Sequence, residues 1–473
     1  MFMTEPASFI KEFINDLNDA LAELKPNAKL TRCQAAWLGF CLTGILLVNA
    51  VSWAKFERVG LGRYKVGALS WLFRHGKIAW HLLLIASVKV ILKRHGITEG
   101  TLVLDESDRG RSKRTPRLHK TYKQKDKGTG GYVNGQTVVL LLLVTKTITF
   151  PVGFLFYMPD PVLSAWEKED KRLIKKGIAK CNRPVEPVRN PDYPTKASLA
   201  LTLLQAFKDN HHAIIIQSVL ADALYGTRDF MNKASAIFGG VQVISQIRKN
   251  QNIRFHGKKR KVEAYFNKTN QGVAQKICIR GGKTIEVILS SARLKVDAHG
   301  EKRFVIALKY EGESDYRYLV ATDMTWRTRD IVQAYTLRWL VEVFFEDWKL
   351  YEGWAREAKQ LGEEGSSRSL ILSLLFDHSL LLHPEQMACI ENKLPMNTVG
   401  SLQRKAQMDV LLESMTDLFL NAEDVGEKLK ELSEKVTTLF KLMPSGKHMI
   451  GRDLGRLEST PSLIYVVNQR HAT

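Results

Sequence analysis

The chain has 473 residues, with 70 Lys+Arg against 49 Asp+Glu, a formal net charge of +21. A composition 45% apolar and 25% charged excludes a disordered chain, and the length calls for two to four domains. Five scattered cysteines without a Cys-x-x-Cys pair exclude a disulfide framework and a cysteine-rich zinc site, and they fit a reducing cytoplasm. So large a basic excess points to a polyanion. Residues 1–355 hold 56 Lys+Arg and 33 Asp+Glu, a net of +23, whereas residues 356–473 hold 14 and 16, a net of −2. The polyanion contact is therefore expected in the first three quarters. No glycine-rich nucleotide loop and no His/Cys zinc spacing occur, so neither ATP nor zinc is expected.

Residues 1–98 read as a helical domain, with helical spacing of apolar residues over Phe9–Leu24, Ala35–Trp53, Ala68–Phe73 and Ile78–Leu92. Gln34–Ala54 carries no charge over 21 residues, long enough to span a bilayer. Its Gln34, Asn49 and glycines, with no flanking topology signal, favour a buried helix. Glu5, Lys11, Glu12 and Asp16 at the N-terminus argue against a signal peptide. Phe56–Lys77 interleaves Arg58, Arg63, Lys65 and Arg74 with Tyr64, Trp71 and Phe73. A helix–turn–helix-like module would lay those cations along phosphates; a solvated basic face explains this stretch equally well.

From Thr101 the pattern changes to strands. Thr101–Asp105 is a short apolar run closed by a carboxylate, and Thr137–Thr145 and Thr147–Tyr157 are continuous apolar runs suited to a sheet covered on both faces. A helix over Lys196–Lys208 precedes a second strand closed by a carboxylate, Ala213–Asp222, then a helix over Thr227–Phe238 and a strand over Val241–Ile247. Residues 249–325 break this rhythm with alternating runs and read as a β-rich insertion. Helical spacing resumes from Arg327 through Leu350, and the tail, 356–473, is largely helical. The expected organisation is an α/β catalytic domain at 99–355, interrupted by the β-rich insertion 249–325, between a helical DNA-binding domain at 1–98 and a helical domain at 356–473 expected to pair two protomers.

Strand ends in α/β sheets face the crevice where such folds place their chemistry, which singles out Asp105 and Asp222. A continuous helix from Arg327 to Leu350 would put Tyr335, Arg338, Glu342 and Lys349 at 0°, 300°, 340° and 320°, within one 60° stripe. Leu337, Val341, Phe344 and Trp348 gather on the side that would pack on a sheet. Three carboxylates from separate elements would hold two divalent cations, and oxygen ligands suit Mg2+ or Mn2+. Such a centre activates a water or 3′-hydroxyl for attack on a phosphodiester. Glu106, Asp108 and Glu346 are rivals to these positions, while Asp347 faces elsewhere.

The spacing Y-x2-R-x3-E-x6-K in Tyr335–Lys349 resembles the YREK signature of the insertion-sequence-four family of bacterial DDE transposases, to which the Tn-five enzyme belongs. LVLDES around Asp105 and LADALYGT around Asp222 resemble the other two motifs of that family. The resemblance implies a ribonuclease-H-like (retroviral-integrase-like) core in which Asp105, Asp222 and Glu342 form the metal-binding triad, with two Mg2+ ions that Mn2+ can replace. It further implies that Tyr335, Arg338 and Lys349 grip DNA near a cleaved element end, and that cleavage passes through a hairpin with a base flipped onto an aromatic of the insertion. Tyr318 stands at the comparable place, with Trp326 and Tyr316 as alternatives. The implied partners are double-stranded DNA, as terminal inverted repeats and target, and a second protomer in a synaptic complex on the bacterial nucleoid, without membrane.

The loop Arg109–Lys127 holds nine Lys/Arg, among them Arg111, Lys113, Arg114, Lys120 and Lys123, and is expected to be ordered by DNA. A second basic cluster contains Lys259 and Arg260. The leading expectation is a transposase. A transposase-derived regulator without catalysis, or a structure-selective nuclease or resolvase on the same core, are the alternatives.

Overall fold

The computed structural model describes residues 6–60, 64–111, 117–125, 130–279, 283–354, 356, 360–419, 426 and 430. The chain opens with five helices, α1 (Ser8–Leu24), α2 (Arg32–Val48), α3 (Trp53–Val59), α4 (Val66–His75) and α5 (Trp80–Arg94). Thr31 and Gln34 form a reciprocal capping box that starts α2. The run expected as one helix over Ala35–Trp53 instead ends at Asn49, in the left-handed region (φ 53°), and α3 leaves at 87° to α2. Among the described residues no single helix is long and apolar enough to cross a membrane. The apolar stretch of α2 is instead enclosed, with Trp37–Leu46 buried.

Four strands follow: β1 (Glu99–Arg111), β2 (Tyr122–Lys125), β3 (Tyr132–Val144) and β4 (Thr149–Tyr157). Next come α6 (Pro161–Lys175), α7 (Lys196–Asn210), β5 (Ile215–Ala221), α8 (Arg228–Ile237) and β6 (Gln242–Ile247). β4 pairs antiparallel with β3, β3 antiparallel with β1, and β1, β5 and β6 run parallel. Parallel strands must be covered on both faces, and the alternation of apolar residues does this. Leu102, Leu104, Leu141 and Val219 face one core with α7 and α8, while Val103, Leu140, Leu142 and Leu220 face a second.

Residues 252–321 contain β7 (Asn252–Phe255), β8 (Lys258–Lys261), α9 (Val262–Lys268), β9 (Val273–Cys278), β10 (Thr284–Val296), β11 (Glu301–Tyr310) and β12 (Arg317–Ala321). These strands extend the same sheet, because β12 pairs antiparallel with β6.

The helix expected from Arg327 to Leu350 is two helices, α10 (Thr328–Thr336) and α11 (Trp339–Leu350). Across the join the backbone bonds tighten to i→i+3, as in Arg338 N–H to Tyr335 O (3.1 Å) and Val341 N–H to Arg338 O (3.2 Å). Thr336 Oγ1 donates to Gln333 O at 2.6 Å, a local bond that competes with the regular ladder.

The second core holds α11 against β1. Val341, Phe344 and Trp348 are fully buried; the Trp348 ring stacks on Trp354 at 4.8 Å and 10°, and Trp354 Nε1 donates to Ser107 Oγ on β1. The helices α12 (Gly362–Leu380), α13 (Pro384–Glu391) and α14 (Val399–Phe419) follow. α12 joins the core formed by α1, α2 and α5, and His378 bridges Ser87 Oγ on α5 to Pro151 O on β4. All five cysteines are free thiols.

Since Trp354 is 1% exposed and braces α11 on β1, Trp354→Ala should destabilise the protein by about 3–5 kcal/mol. Urea denaturation checks this; a loss under ~1 kcal/mol would contradict the bracing role.

Candidate active site

The site begins where two strands part. Parallel pairing of β1 with β5 ends at Leu104↔Ala221, while β1 continues to Arg111 along β3 alone. Asp105 and Asp222 are the next residues on the two strands and stand at this fork. Asp222 ends its strand as expected, but Asp105 does not; β3 keeps pairing with β1 for six more residues, which the turn-like polar sequence after Asp105 disguised. Asp105 is 8% exposed, and its Oδ1 accepts the Glu106 N–H at 2.8 Å. Asp222 Oδ1 accepts the Leu224 N–H at 2.9 Å and so caps the short turn Ala223–Tyr225. Gly226 ends that turn where no side chain fits, since a Cβ there would lie 2.3 Å from Gln246 O.

Glu342 comes from the first turn of α11. With Asp105 and Asp222 it lines one cleft of about 630 Å3, walled also by Arg338, Lys349 and Lys125. Arg338 sits between two of the carboxylates, with Nη1 2.9 Å from Asp105 Oδ2 and 3.7 Å from Glu342 Oε1. Burial pushes the Asp105 carboxyl up to about 7; the Glu106 N–H and Arg338 oppose this, and Asp222 and Glu342 add to it. Arg338 is held above the ordinary arginine value: burial works against its charge, and Tyr335 and the carboxylates outweigh it.

Among the described residues no three His, Cys, Asp or Glu side chains lie close enough to form a ready metal-binding group. The donor set still fits a hard divalent cation. All three groups are carboxylates in one cleft, and two already share a single positive group, the Arg338 guanidinium.

Comparison with known families decides the class. The family model for the DDE superfamily endonuclease matches residues 30–272, and that for the transposase DDE domain matches residues 189–363. The chain belongs to the DDE superfamily of endonucleases. No curated protein matches it. The two family models make a transposase or DDE endonuclease the class of enzyme, and their matched segments together span Asp105, Asp222 and Glu342.

In this endonuclease the rival carboxylates Glu106 and Asp108 also line the cleft, but each is engaged by a neighbouring side chain. Glu106 Oε1 meets Lys196 Nζ at 2.6 Å, and Asp108 Oδ1 accepts from Thr137 Oγ1 at 2.6 Å. Glu346 is exposed and does not line the cleft. Tyr335 is buried beside the end of β5, its hydroxyl 3.5 Å from Ala221 O, and Lys349 lines the cleft with its Nζ over the Phe345 ring.

Two expected DNA contacts are corrected. Tyr318 is 4% exposed and packs against Phe266, because its place on β12 turns it into the core. Arg111 is 6% exposed and donates to Gln136 Oε1, because β1 extends to Arg111, into the start of the segment expected as a loop. Lys120 is partly buried and donates to Phe156 O at 3.2 Å. Arg58, Lys65, Arg74, Lys123, Lys259 and Arg260 are exposed cations, Lys259 and Arg260 lying on β8. Arg63, Lys113 and Arg114 lie outside the described residues.

Sequence reasoning missed Gln246, which lines the cleft from β6, and undervalued Lys125 as one charge among many. Neither carries a local sequence signal; the sheet order brings both to the site.

The raised Asp105 value has a thermodynamic consequence. Between about 4 and 7 the unfolded chain releases a proton that the folded protein keeps, so ion-free protein loses stability as pH rises through that window and levels above it. Asp105→Asn should remove this fall, on the order of a few kcal/mol. Denaturation in EDTA at pH 5 and pH 8 measures it; an unchanged pH profile in the variant would contradict the assignment.

Proposed function

We propose that this endonuclease is a transposase of the insertion-sequence-four group, which binds the terminal inverted repeats of its mobile element, cleaves there and joins the ends to target DNA. The observation that carries this reading is the convergence of Asp105, Asp222 and Glu342, from β1, the end of β5 and α11, on one cleft walled by cations. The sheet order β4–β3–β1–β5–β6, three antiparallel strands followed by parallel ones, supports a ribonuclease-H-like core.

Asp105, Asp222 and Glu342 would hold divalent ions, Mg2+ with Mn2+ able to substitute. Ions held there would supply activation of a water or 3′-hydroxyl and stabilisation of the leaving oxygen of a phosphodiester. The protein's own part is to place the DNA. Arg338, released from Asp105, reaches a phosphate oxygen, and Lys349 and Lys125 neutralise phosphates along the cleft wall. The exposed cations of α3, α4 and β8 extend the positive surface over the flanking duplex, so binding should weaken steeply with salt.

A second pocket of about 280 Å3 adjoins the cleft and shares Gln246 and Arg338 with it. Tyr310, Trp339 and Arg317 line it, and the Trp339 side is 54% exposed. Aromatic faces beside a guanidinium suit a base turned out of the helix, which supports the hairpin route and moves the stacking role from Tyr318 to Tyr310 and Trp339. One protomer on each end, paired as a homodimer, would form the synaptic complex.

Incubation with Mg2+ and linear DNA carrying the element's own ends should yield nicks, hairpins and strand-transfer products. Asp222→Asn should abolish all three while DNA binding persists; retained cleavage would sink the triad. Wild-type binding without cleavage would favour a regulator, and cleavage of branched DNA without end sequence a resolvase. Trp339→Ala should leave the first nick intact and slow hairpin formation about tenfold or more, from a stacking loss of ~1–3 kcal/mol per base. Equal rates of hairpin formation in variant and wild type would remove the base-pocket role.

A further inference from the structure

The fork between β1 and β5 is also bridged through the residue that follows Asp105. Tyr225, at the end of the turn that Asp222 caps, is fully buried, and its hydroxyl donates to Glu106 Oε2 at 3.2 Å. Glu106 directly follows Asp105, and its other oxygen takes Lys196 Nζ at 2.6 Å. Lys196 and Glu106 are both about one-fifth exposed. The Lys196 ammonium also lies over the Tyr157 ring, 5.3 Å from its centre. One hydrogen-bonded chain thus runs from α7 through the backbone neighbour of one site carboxylate to the turn of the other.

The place of Lys196 argues against a role in helix stability. It is the first residue of α7, capped by Thr195, where the helix dipole disfavours a cation and favours an acid. A residue on the unfavourable end of its own helix, turned inward onto a carboxylate, points to the site that carboxylate borders. Burial works against the Lys196 charge, and Glu106 outweighs it, so the ammonium is held above the ordinary lysine value. Burial, with Glu106 next, keeps the Tyr225 hydroxyl protonated and therefore a donor.

We propose that Lys196, Glu106 and Tyr225 are positioning residues that fix the separation of Asp105 and Asp222, and thereby set the affinity of the site for divalent ions. The inference rests on the metal-site reading of Asp105, Asp222 and Glu342. Groups one shell behind metal ligands typically change affinity or activity about 10–100-fold when removed. The clamp needs a tyrosine hydroxyl, a carboxylate and a cation, so substitution by isosteres separates its chemistry from packing.

The test is Mn2+ titration of the full-length protein without DNA, followed by electron paramagnetic resonance, on wild type, Tyr225→Phe, Lys196→Met, Lys196→Arg and Asp222→Asn. Tyr225→Phe removes one oxygen and keeps the ring, so it keeps the measurement available should Lys196→Met fold poorly. Tyr225→Phe and Lys196→Met should bind Mn2+ about tenfold more weakly and need proportionally more Mn2+ for cleavage, with binding to linear duplex DNA in EDTA unchanged. Lys196→Arg should restore most of the affinity, which a packing role would not predict. Wild-type Mn2+ affinity in Tyr225→Phe and Lys196→Met, alongside a loss in Asp222→Asn, would overturn the clamp and leave the metal site standing. Equal Mn2+ binding by wild type and Asp222→Asn would overturn the metal-site reading and the clamp with it.

Discussion

Carboxylates drawn into one cleft repel one another, and the folded chain meets this constraint with Arg338. Its guanidinium touches Asp105 and lies 3.7 Å from Glu342, so the join between α10 and α11 supplies the counter-charge the site needs before any ion arrives. The rest of the architecture makes that placement possible. The tightened turn at Leu337–Arg338 aims the guanidinium into the cleft, and the Trp348–Trp354 stack fixes α11 to β1. The parting of β1 from β5 brings the two aspartates to the same place.

The arrangement also bears on the proposed reaction. An arginine whose charge is already balanced by carboxylates has less to offer a phosphate. Ion binding on the proposed triad would take over the charge Arg338 now balances and free it for DNA. On that reading, charge would stay compensated in both states, first by the protein and then by ions and substrate together.

Much of this was legible in the sequence, for definable reasons. Continuous apolar runs marked β3 and β4 because both faces of that sheet are covered, and the Tyr335–Lys349 spacing marked Glu342 because α11 alone carries Glu342 and Lys349 on one stripe. The interruption at Arg338 escaped a helical wheel, since Thr336 redirects its bond locally without disturbing the pattern of apolar residues. The reason given for Asp105 was partly wrong. That residue marks the end of pairing with β5 but not the end of its strand, and strand length past a carboxylate depends on a partner distant in sequence. Arg111 and Tyr318 misled because a cation in a basic stretch and an aromatic near a motif look exposed until strand parity is known; both face inward. Lys196, Tyr225 and Gln246 became visible only when sheet order set them beside the aspartates.

The central claim is that Asp105, Asp222 and Glu342 form one cation site whose charge Arg338 balances in the absence of ions. Anomalous diffraction at the manganese edge, from crystals of the full chain soaked in Mn2+, tests it most directly. The account predicts manganese peaks between these carboxylates, with the Arg338 guanidinium moved away from Asp105. Manganese bound elsewhere, or an Asp105–Arg338 pair left intact beside an empty cleft, would contradict it.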